Sequence, residues 1–398
     1  MSGSAAGDGA SLSGSKRRRP DDDAASSAAA PAPASSASAA SPHVPSWHGC
    51  RSVTAYRPLR KIDEGTYGVV FAAEDVVTGD VVALKKVKMQ GAAVAAEGFP
   101  ITALRETNVL LALRHPNIIR VREMVVGGDL DKVYMVMDYM SRDVKVAMGL
   151  LGQPFTQAEV KCLMAQLLAG VAHMHGAWVI HRDLKTSNLL LGAGGRLAIC
   201  DFGLARKYGS PLRPYTETVV TQWYRAPELL LGARTYATAV DVWSCGCILA
   251  ELVLGKPLFA GRSEPEQLEL IFKLLGTPTD AAWPGWDRLP LARELRMRPR
   301  APASLRAALG LDAAAPYGAG AAAHMSEAGL DLLRGLLMLD PARRISAADA
   351  LAHPWFAESP LPLDPRLLPS FPDATDAARD TADAARGAAA AAGSAAAR

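Results

Sequence analysis

His181-Arg182-Asp183-Leu184-Lys185-Thr186-Ser187-Asn188, followed by Asp201-Phe202-Gly203, is the stretch on which the reading of the chain turns. It sets a carboxylate, an ammonium group, a carboxamide and a second carboxylate close together in sequence. A carboxylate can accept a hydroxyl proton, and a lysine two residues on can lie beside developing negative charge. Asn188 and Asp201 offer the hard oxygen atoms that Mg²⁺ prefers. Any one of these strings can arise by chance. Their fixed order, closed by Ala226-Pro227-Glu228, does not.

Upstream, Glu64-Gly65-Thr66-Tyr67-Gly68-Val69-Val70 puts two glycines where two strands meet. Glycine there lets backbone N–H groups approach phosphate oxygens, but a hairpin needs glycine in any case. The first glycine of the usual three is Asp63, so this signal alone is weak. Lys85, in Val82-Ala83-Leu84-Lys85, changes the balance, because its side chain can turn under the glycine loop. A lysine among apolar neighbours needs a carboxylate partner, and Glu106 on the following helix is the candidate. Together these residue types are what phosphoryl transfer asks for.

Around them the chain divides by composition. Residues 1–53 are rich in Ser, Ala, Gly and Pro and read as a disordered arm. Within it, Lys16, Arg17, Arg18 and Arg19 form either a nuclear localisation signal or a solvated charge run. Residues 54–139 read as a small lobe, with strands at Tyr56–Ile62, Val69–Glu74, Val81–Val87, Ile118–Val126 and Val133–Tyr139. Its one helix starts after Pro100, carries apolar positions Leu104, Val109 and Leu111, and stops at His115-Pro116. Residues 140–357 read as a larger helical lobe. Val160, Leu163, Met164, Leu167, Leu168, Val171 and Met174 trace one helical stripe, and Val240 to Leu254 a second, more apolar helix. Residues 358–398 read as a mostly disordered tail. The class is α+β with two lobes.

Composition excludes several alternatives. With 49% hydrophobic and 21% charged residues the chain is globular, and no apolar run reaches membrane-spanning length. A net charge of +3 implies neither a nucleic-acid nor a membrane partner. Five cysteines without framework spacing, and no secretory signal, point to a reducing compartment, nuclear or otherwise cytoplasmic. Cys245 and Cys247 lack a second pair at zinc spacing and read as buried helix residues. His173 and His175 lack an accompanying carboxylate at ligand spacing and read as surface or capping residues. Trp283 and Trp286 lack interleaved basic residues, so packing is favoured over base stacking.

With these residues in view the chain resembles a cyclin-dependent protein kinase over nearly all of Ala55 to Pro372. Pro100-Ile101-Thr102-Ala103-Leu104-Arg105-Glu106 resembles that family's cyclin-binding helix. Lys185-Thr186-Ser187-Asn188, Tyr208-Gly209-Ser210-Pro211-Leu212 and the tail from Pro360-Leu361-Pro362 to Pro369-Ser370-Phe371-Pro372 are similar to the PITSLRE subgroup and its plant G-type members. The resemblance implies a bilobal protein kinase fold and transfer of the γ-phosphoryl group of ATP to Ser or Thr before Pro. It also implies Mg²⁺, a cyclin-like regulatory subunit, and a role in control of the cell cycle, transcription or RNA processing.

Residue by residue, it makes Lys85 and Glu106 the ion pair that orders the α and β phosphates, and Asp183 the acceptor of the hydroxyl proton. Lys185 would stabilise the transferring phosphoryl group, Thr221 would bridge Asp183 and Lys185, and Asn188 and Asp201 would hold Mg²⁺. Ile62, Gly65, Gly68, Val70, Ala83 and Leu190 would enclose the nucleotide, with Met137 as gatekeeper and the backbone of Asp138 to Met140 as hinge. Glu228 would pair with Arg344. Arg105, Arg182 and Arg206 would gather a phosphate on Thr216, and Thr66 and Tyr67 match inhibitory phosphosites.

The chain departs from the family at Asp63, at Gln222 where leucine is usual, at Gly91 to Ala96 before the cyclin helix, and from Arg293 to Ala323. A kinase-fold scaffold without catalysis would have lost Lys85, Asp183, Asn188 or Asp201, and all are present. Direct nucleic-acid binding rests on Lys16 to Arg19 alone, a cluster that contacts few phosphates.

Overall fold

The computed structural model describes residues 50–65, 68–87, 101–128, 132–209, 222–294, 298–311 and 325–371, with the backbone alone at residues 101, 102 and 105. Six strands form the small-lobe sheet: β1 (Arg51–Ser52), β2 (Tyr56–Gly65), β3 (Gly68–Asp75), β4 (Val81–Val87), β5 (Val121–Val126) and β6 (Val133–Asp138). Their order is β1-β5-β6-β4-β3-β2, antiparallel throughout except for β1 on β5. Strand alternation sorts the side chains. Val82 and Leu84 join Tyr56, Ala73, Val125 and Val136 in a small outer cluster, while Ala83, Met135 and Met137 face the main core.

β1 lies within the stretch expected to be disordered. Arg51 bonds Asp75 and Glu123 at 3.1 and 3.0 Å, and Arg51↔Val125 pairing covers the open edge of β5. The Arg51 hydrogen bond holds the Asp75 carboxyl at about 2. The strand expected at Ile118–Val126 begins only at Val121, because Ile118 and Ile119 bridge instead to Ile199 in the large lobe.

Helix α1 (Ile101–Ala112) corrects the apolar face read from sequence. Val109, Leu110, Leu113 and Glu106 are buried, whereas Leu104 and Leu111 are 45% and 49% exposed. Val109, Leu110 and Leu113 lie three, four and seven residues after Glu106, so the apolar face that packs inward also directs the Glu106 carboxylate to Lys85 and leaves Leu104 and Leu111 outside it.

The large lobe is built on two helices. Gln157–Gly176 starts at a capping box of Thr156 and Glu159, and its predicted stripe from Val160 to Met174 is fully buried. Ala239–Leu254 is buried from Val240 to Val253, as a helix apolar on all sides must be. Cys245 and Cys247 are buried within it, and burial pushes both thiols up. Trp283 is buried and Trp286 packs against the same core. Arg344 donates to both Glu228 oxygens at 2.7 and 3.0 Å inside the lobe, the pairing expected from sequence.

Residues 358–371, expected to belong to the tail, pack back onto the large lobe. Lys161, wholly buried, donates to the carbonyls of Glu358 and Pro360 at 2.9 and 2.8 Å. Burial draws the Lys161 pKa down, with Glu358 opposing. The Leu363 N–H donates to Ala158, Leu368 is buried, and Arg142 lies over the Phe371 ring. Lys161→Met keeps the length of the side chain but leaves two carbonyls without a donor. It should destabilise the protein by about 2–4 kcal/mol in urea unfolding and expose 358–371 to protease. Wild-type stability in that variant would refute the anchoring role.

Candidate active site

The site is assembled from five places in the chain that together hold six groups. Lys85 is on β4, Glu106 on α1, Asp183 and Lys185 in the loop after Val179–Ile180, Asn188 at the end of the single turn before the Leu189–Leu191 strand, and Asp201 after the Leu197–Ile199 strand. Lys85 Nζ lies 2.6 Å from Glu106 Oε1. Burial alone would lower the Lys85 pKa, but the carboxylates of Glu106 and Asp201 outweigh it and hold the ammonium above its ordinary value. Lys185 Nζ donates to Asp183 Oδ2 at 2.9 Å, and the Asn188 amide donates to the Asp183 carbonyl and Oδ2 at 2.7 and 3.0 Å. Asp183 Oδ2 thus stands between a lysine and a carboxamide, oriented and electrostatically held.

The donor set fits a hard cation. Asp201 Oδ1 is buried with no hydrogen-bond partner, an arrangement that is costly unless a cation is shared. The NH₂ of Asn188 is spent on Asp183, so its carboxamide oxygen is what remains to offer. Among the described residues no group of three or more His, Cys, Asp or Glu can hold a metal ion. A cation here would draw further ligands from phosphate oxygens, as Mg²⁺ does.

Of the expected nucleotide-enclosing residues, Ala83, Met137 and Met140 are buried, and Ile62, Val70 and Leu190 are partly buried against the main core. Ala83 lies opposite Met137 across β4 and β6. Asp138 is fixed by Arg122 at 3.0 Å and Arg196 at 3.1 Å, and its N–H donates to the Arg120 carbonyl. Gly68 has φ +153°, and a Cβ there would sit 2.3 Å from the Lys86 carbonyl oxygen. The hairpin therefore requires glycine at Gly68 for its own closure, with Gly65 paired across from it.

Arg182 and Arg206 both reach the Leu204 carbonyl, at 3.4 and 3.5 Å, which brings these two of the expected phosphate-gathering arginines together. Arg105 is on α1, with its side chain outside the described residues. Thr66, Tyr67, Thr216 and Thr221 also lie outside them. Gln222 donates to the Gly261 carbonyl at 2.7 Å, which the Trp223 indole also reaches at 3.0 Å.

Sequence reasoning misses the support beneath the catalytic loop. Asp241, fully buried, accepts from the N–H groups of His181 and Arg182 at 2.8 Å each and lies 3.0 Å from His175 Nε2. His175, half-buried in the last turn of its helix, is therefore a partner of Asp241, while His173 stacks on His115 at 5.0 Å. Burial would raise the Asp241 carboxyl, yet His175 and His181 hold it below its ordinary 3.8. The available signal is a carboxylate in the first turn of an apolar helix, which cannot stay buried there unpaired. A second missed network joins Thr186 and Tyr224 to Glu251, whose carboxyl burial pushes up. Phe202 is buried with its ring edge-on to His181, 4.8 Å away.

This is the arrangement of a phosphotransferase of the protein kinase type, and a protein kinase domain profile matches residues 56–356. The chain belongs to the protein kinase family, in its cyclin-dependent branch. It is 52% identical over 338 residues to cyclin-dependent kinase G-2 of Oryza sativa subsp. indica, across 83% of this chain and 45% of that one. It is 50% identical over 337 residues to cyclin-dependent kinase 11A of Homo sapiens, across 85% and 41%. Against cyclin-dependent kinase 11B of Rattus norvegicus the identity is 49% over 330 residues, across 83% and 72%. The chain spans under half the length of the rice and human relatives.

Asp241 gives a pH signature. Its folded pKa is depressed, so its stabilisation is present above the unfolded value of 3.8 and lost as pH falls through the folded value. Asp241→Asn should cost about 3 kcal/mol at neutral pH in urea unfolding, since two backbone donors then face an amide. The gap to wild type should narrow below about pH 3.8. A gap that stays constant on acidification would contradict the assignment.

Proposed function

We propose that the chain is a serine/threonine protein kinase of the cyclin-dependent type that transfers the γ-phosphoryl group of ATP to a hydroxyl preceding proline. The observation that carries this is the convergence on Asp183 of Lys185 and Asn188, beside a formed Lys85–Glu106 pair. Asp183 takes the proton of the substrate hydroxyl as its oxygen attacks the γ phosphorus, and ADP leaves. Lys185 lies where charge on the transferring group is offset, and Lys85, held by Glu106, orients the α and β phosphates. Asn188 and Asp201 would hold Mg²⁺, which when bound would neutralise phosphate charge.

A cyclin-like subunit would dock against α1, where Leu104 and Leu111 stand exposed one above the other. Because Glu106 is on the same helix, a partner that fixes α1 also fixes the Lys85 pair. Phosphorylation of Thr216 would be gathered by Arg105, Arg182 and Arg206 and order the activation segment, Asp201 to Glu228. Phosphate on Thr66 or Tyr67 would oppose nucleotide binding. A nuclear location rests on the Lys16 to Arg19 cluster.

Asp183→Asn should reduce phosphoryl transfer to a Ser-Pro peptide by at least about a hundredfold while ATP affinity is retained. Turnover at the wild-type level would remove Asp183 from the proton-accepting role. Leu104→Glu with Leu111→Glu should weaken binding of the activating cyclin by more than roughly tenfold, from the loss of two leucines that the subunit would cover, without lowering the melting temperature. Unchanged cyclin affinity would place the subunit elsewhere.

A further inference from the structure

Trp178 is 56% exposed and has φ +60°, in the left-handed region where a bulky side chain is rarely found. Such a conformation persists only where its surroundings over-determine it. The surroundings here are the start of the activation segment. Arg206 pairs with Ile180 and Lys207 with Val179, and the Tyr208 N–H continues the ladder by donating to the Trp178 carbonyl at 3.0 Å. The two rings lie 5.1 Å apart, tilted by 45°. The Tyr208 hydroxyl then donates to the His175 carbonyl at 2.9 Å, which also accepts the Trp178 N–H at 3.1 Å. Burial, with the charge of Asp241, raises the Tyr208 pKa and keeps that phenol a donor.

We propose that Trp178 and Tyr208 form a latch that sets the register of residues 206–208 on the strand entering the catalytic loop, making both of them positioning residues for phosphoryl transfer. Arg206 lies two residues before Tyr208, and Arg182 two residues after Ile180, so the same register carries both guanidinium groups to the Leu204 carbonyl. A slip of one residue turns Arg206 to the opposite face. The latch closes on His175, whose ring holds Asp241, so the activation segment and the catalytic loop share one anchor. The exposed Trp178 ring contributes little to the core. Its one ring partner among the described residues is Tyr208, and this accounts for a bulky residue at a position whose backbone favours glycine.

The functional half of this inference rests on the kinase reading above, and the strained backbone supplies a test that separates the two. Trp178→Gly removes the ring and relieves the left-handed conformation, so a ring that served stability alone and a ring that positions the segment give different results. Trp178→Gly, Trp178→Phe and Tyr208→Phe would be compared in the full chain with its activating cyclin. Melting temperature, hydrogen exchange at the Tyr208 amide, and kcat and KM on a Ser-Pro peptide would be read for each. Trp178→Gly should melt at or above the wild-type temperature. Its Tyr208 amide should exchange roughly three- to tenfold faster, and its kcat should fall by a similar factor with KM for ATP unchanged. Trp178→Phe should restore most of both losses, and Tyr208→Phe should show a partial loss of each. Unchanged amide exchange in Trp178→Gly would overturn the latch, as would a kcat that falls only in step with melting temperature or is not rescued by phenylalanine. If the wild type itself transfers no phosphoryl group, the kinase reading fails, and the amide exchange still decides whether the latch exists.

Discussion

The buried carboxylate of Asp241 is the constraint on which the site depends. It sits in a helix that is apolar on every side, where an unsatisfied charge would cost several times what any neighbouring contact contributes. It is satisfied by the two backbone N–H groups that begin the catalytic loop and by His175. The loop is therefore positioned by the centre of the large lobe and not by its own sequence. Arg182 is held at φ +73° as part of this arrangement, a left-handed turn that sends Asp183 back toward Lys185 and Asn188.

A second constraint joins the lobes. Lys85 is nearly buried, and an ammonium group there is tolerable because Glu106 and Asp201 face it. Glu106 belongs to α1, the helix that packs beside Phe202 to Leu204, so the rotation of one short helix decides whether the lysine, the second carboxylate and the activation segment are aligned. That same rotation is what leaves Leu104 and Leu111 in solvent. A partner protein that covered this exposed apolar pair would hold the helix that carries Glu106, and with it the Lys85–Glu106 pair. Behind the hinge, Arg196 holds Asp138, Gln166 donates to Gly195, and Pro365 rests against that same glycine. Residues 358–371 thus pack beside the residues that hold Asp138.

Much of this is legible in the order of the amino acids. The catalytic strings can be read because the chemistry demands particular functional groups at particular spacings, and the strands and the long helix because alternation and the 3.6-residue period are written directly in the apolar positions. Glu228 and Arg344, distant in sequence, are paired through the family resemblance, and the core places them together. The departures share one cause. Apolar spacing marks α1 as a helix without saying which of its leucines face inward, and the buried face is that of Glu106, Val109, Leu110 and Leu113, with Leu104 and Leu111 left outside it. His175 has no carboxylate nearby in sequence, and the one that it meets lies on another helix. Arg51 and residues 358–371 resemble tails because their partners, Asp75, Glu123 and Lys161, are remote along the chain.

By itself the sequence determined the class of fold and the family, and it named the candidate phosphoryl-transfer groups, because each of these depends on local periodicity or on residues whose identity the chemistry dictates. Tertiary structure alone decided which face of α1 is buried, which carboxylate anchors the catalytic loop, where the segments flanking the two lobes pack, and that a strained tryptophan meets a tyrosine across two short strands. Those outcomes are settled by pairing between groups far apart in sequence. Burial makes an unpaired charge or backbone donor costly, so the fold adopts the arrangement that satisfies such groups, and local apolar pattern does not name their partners.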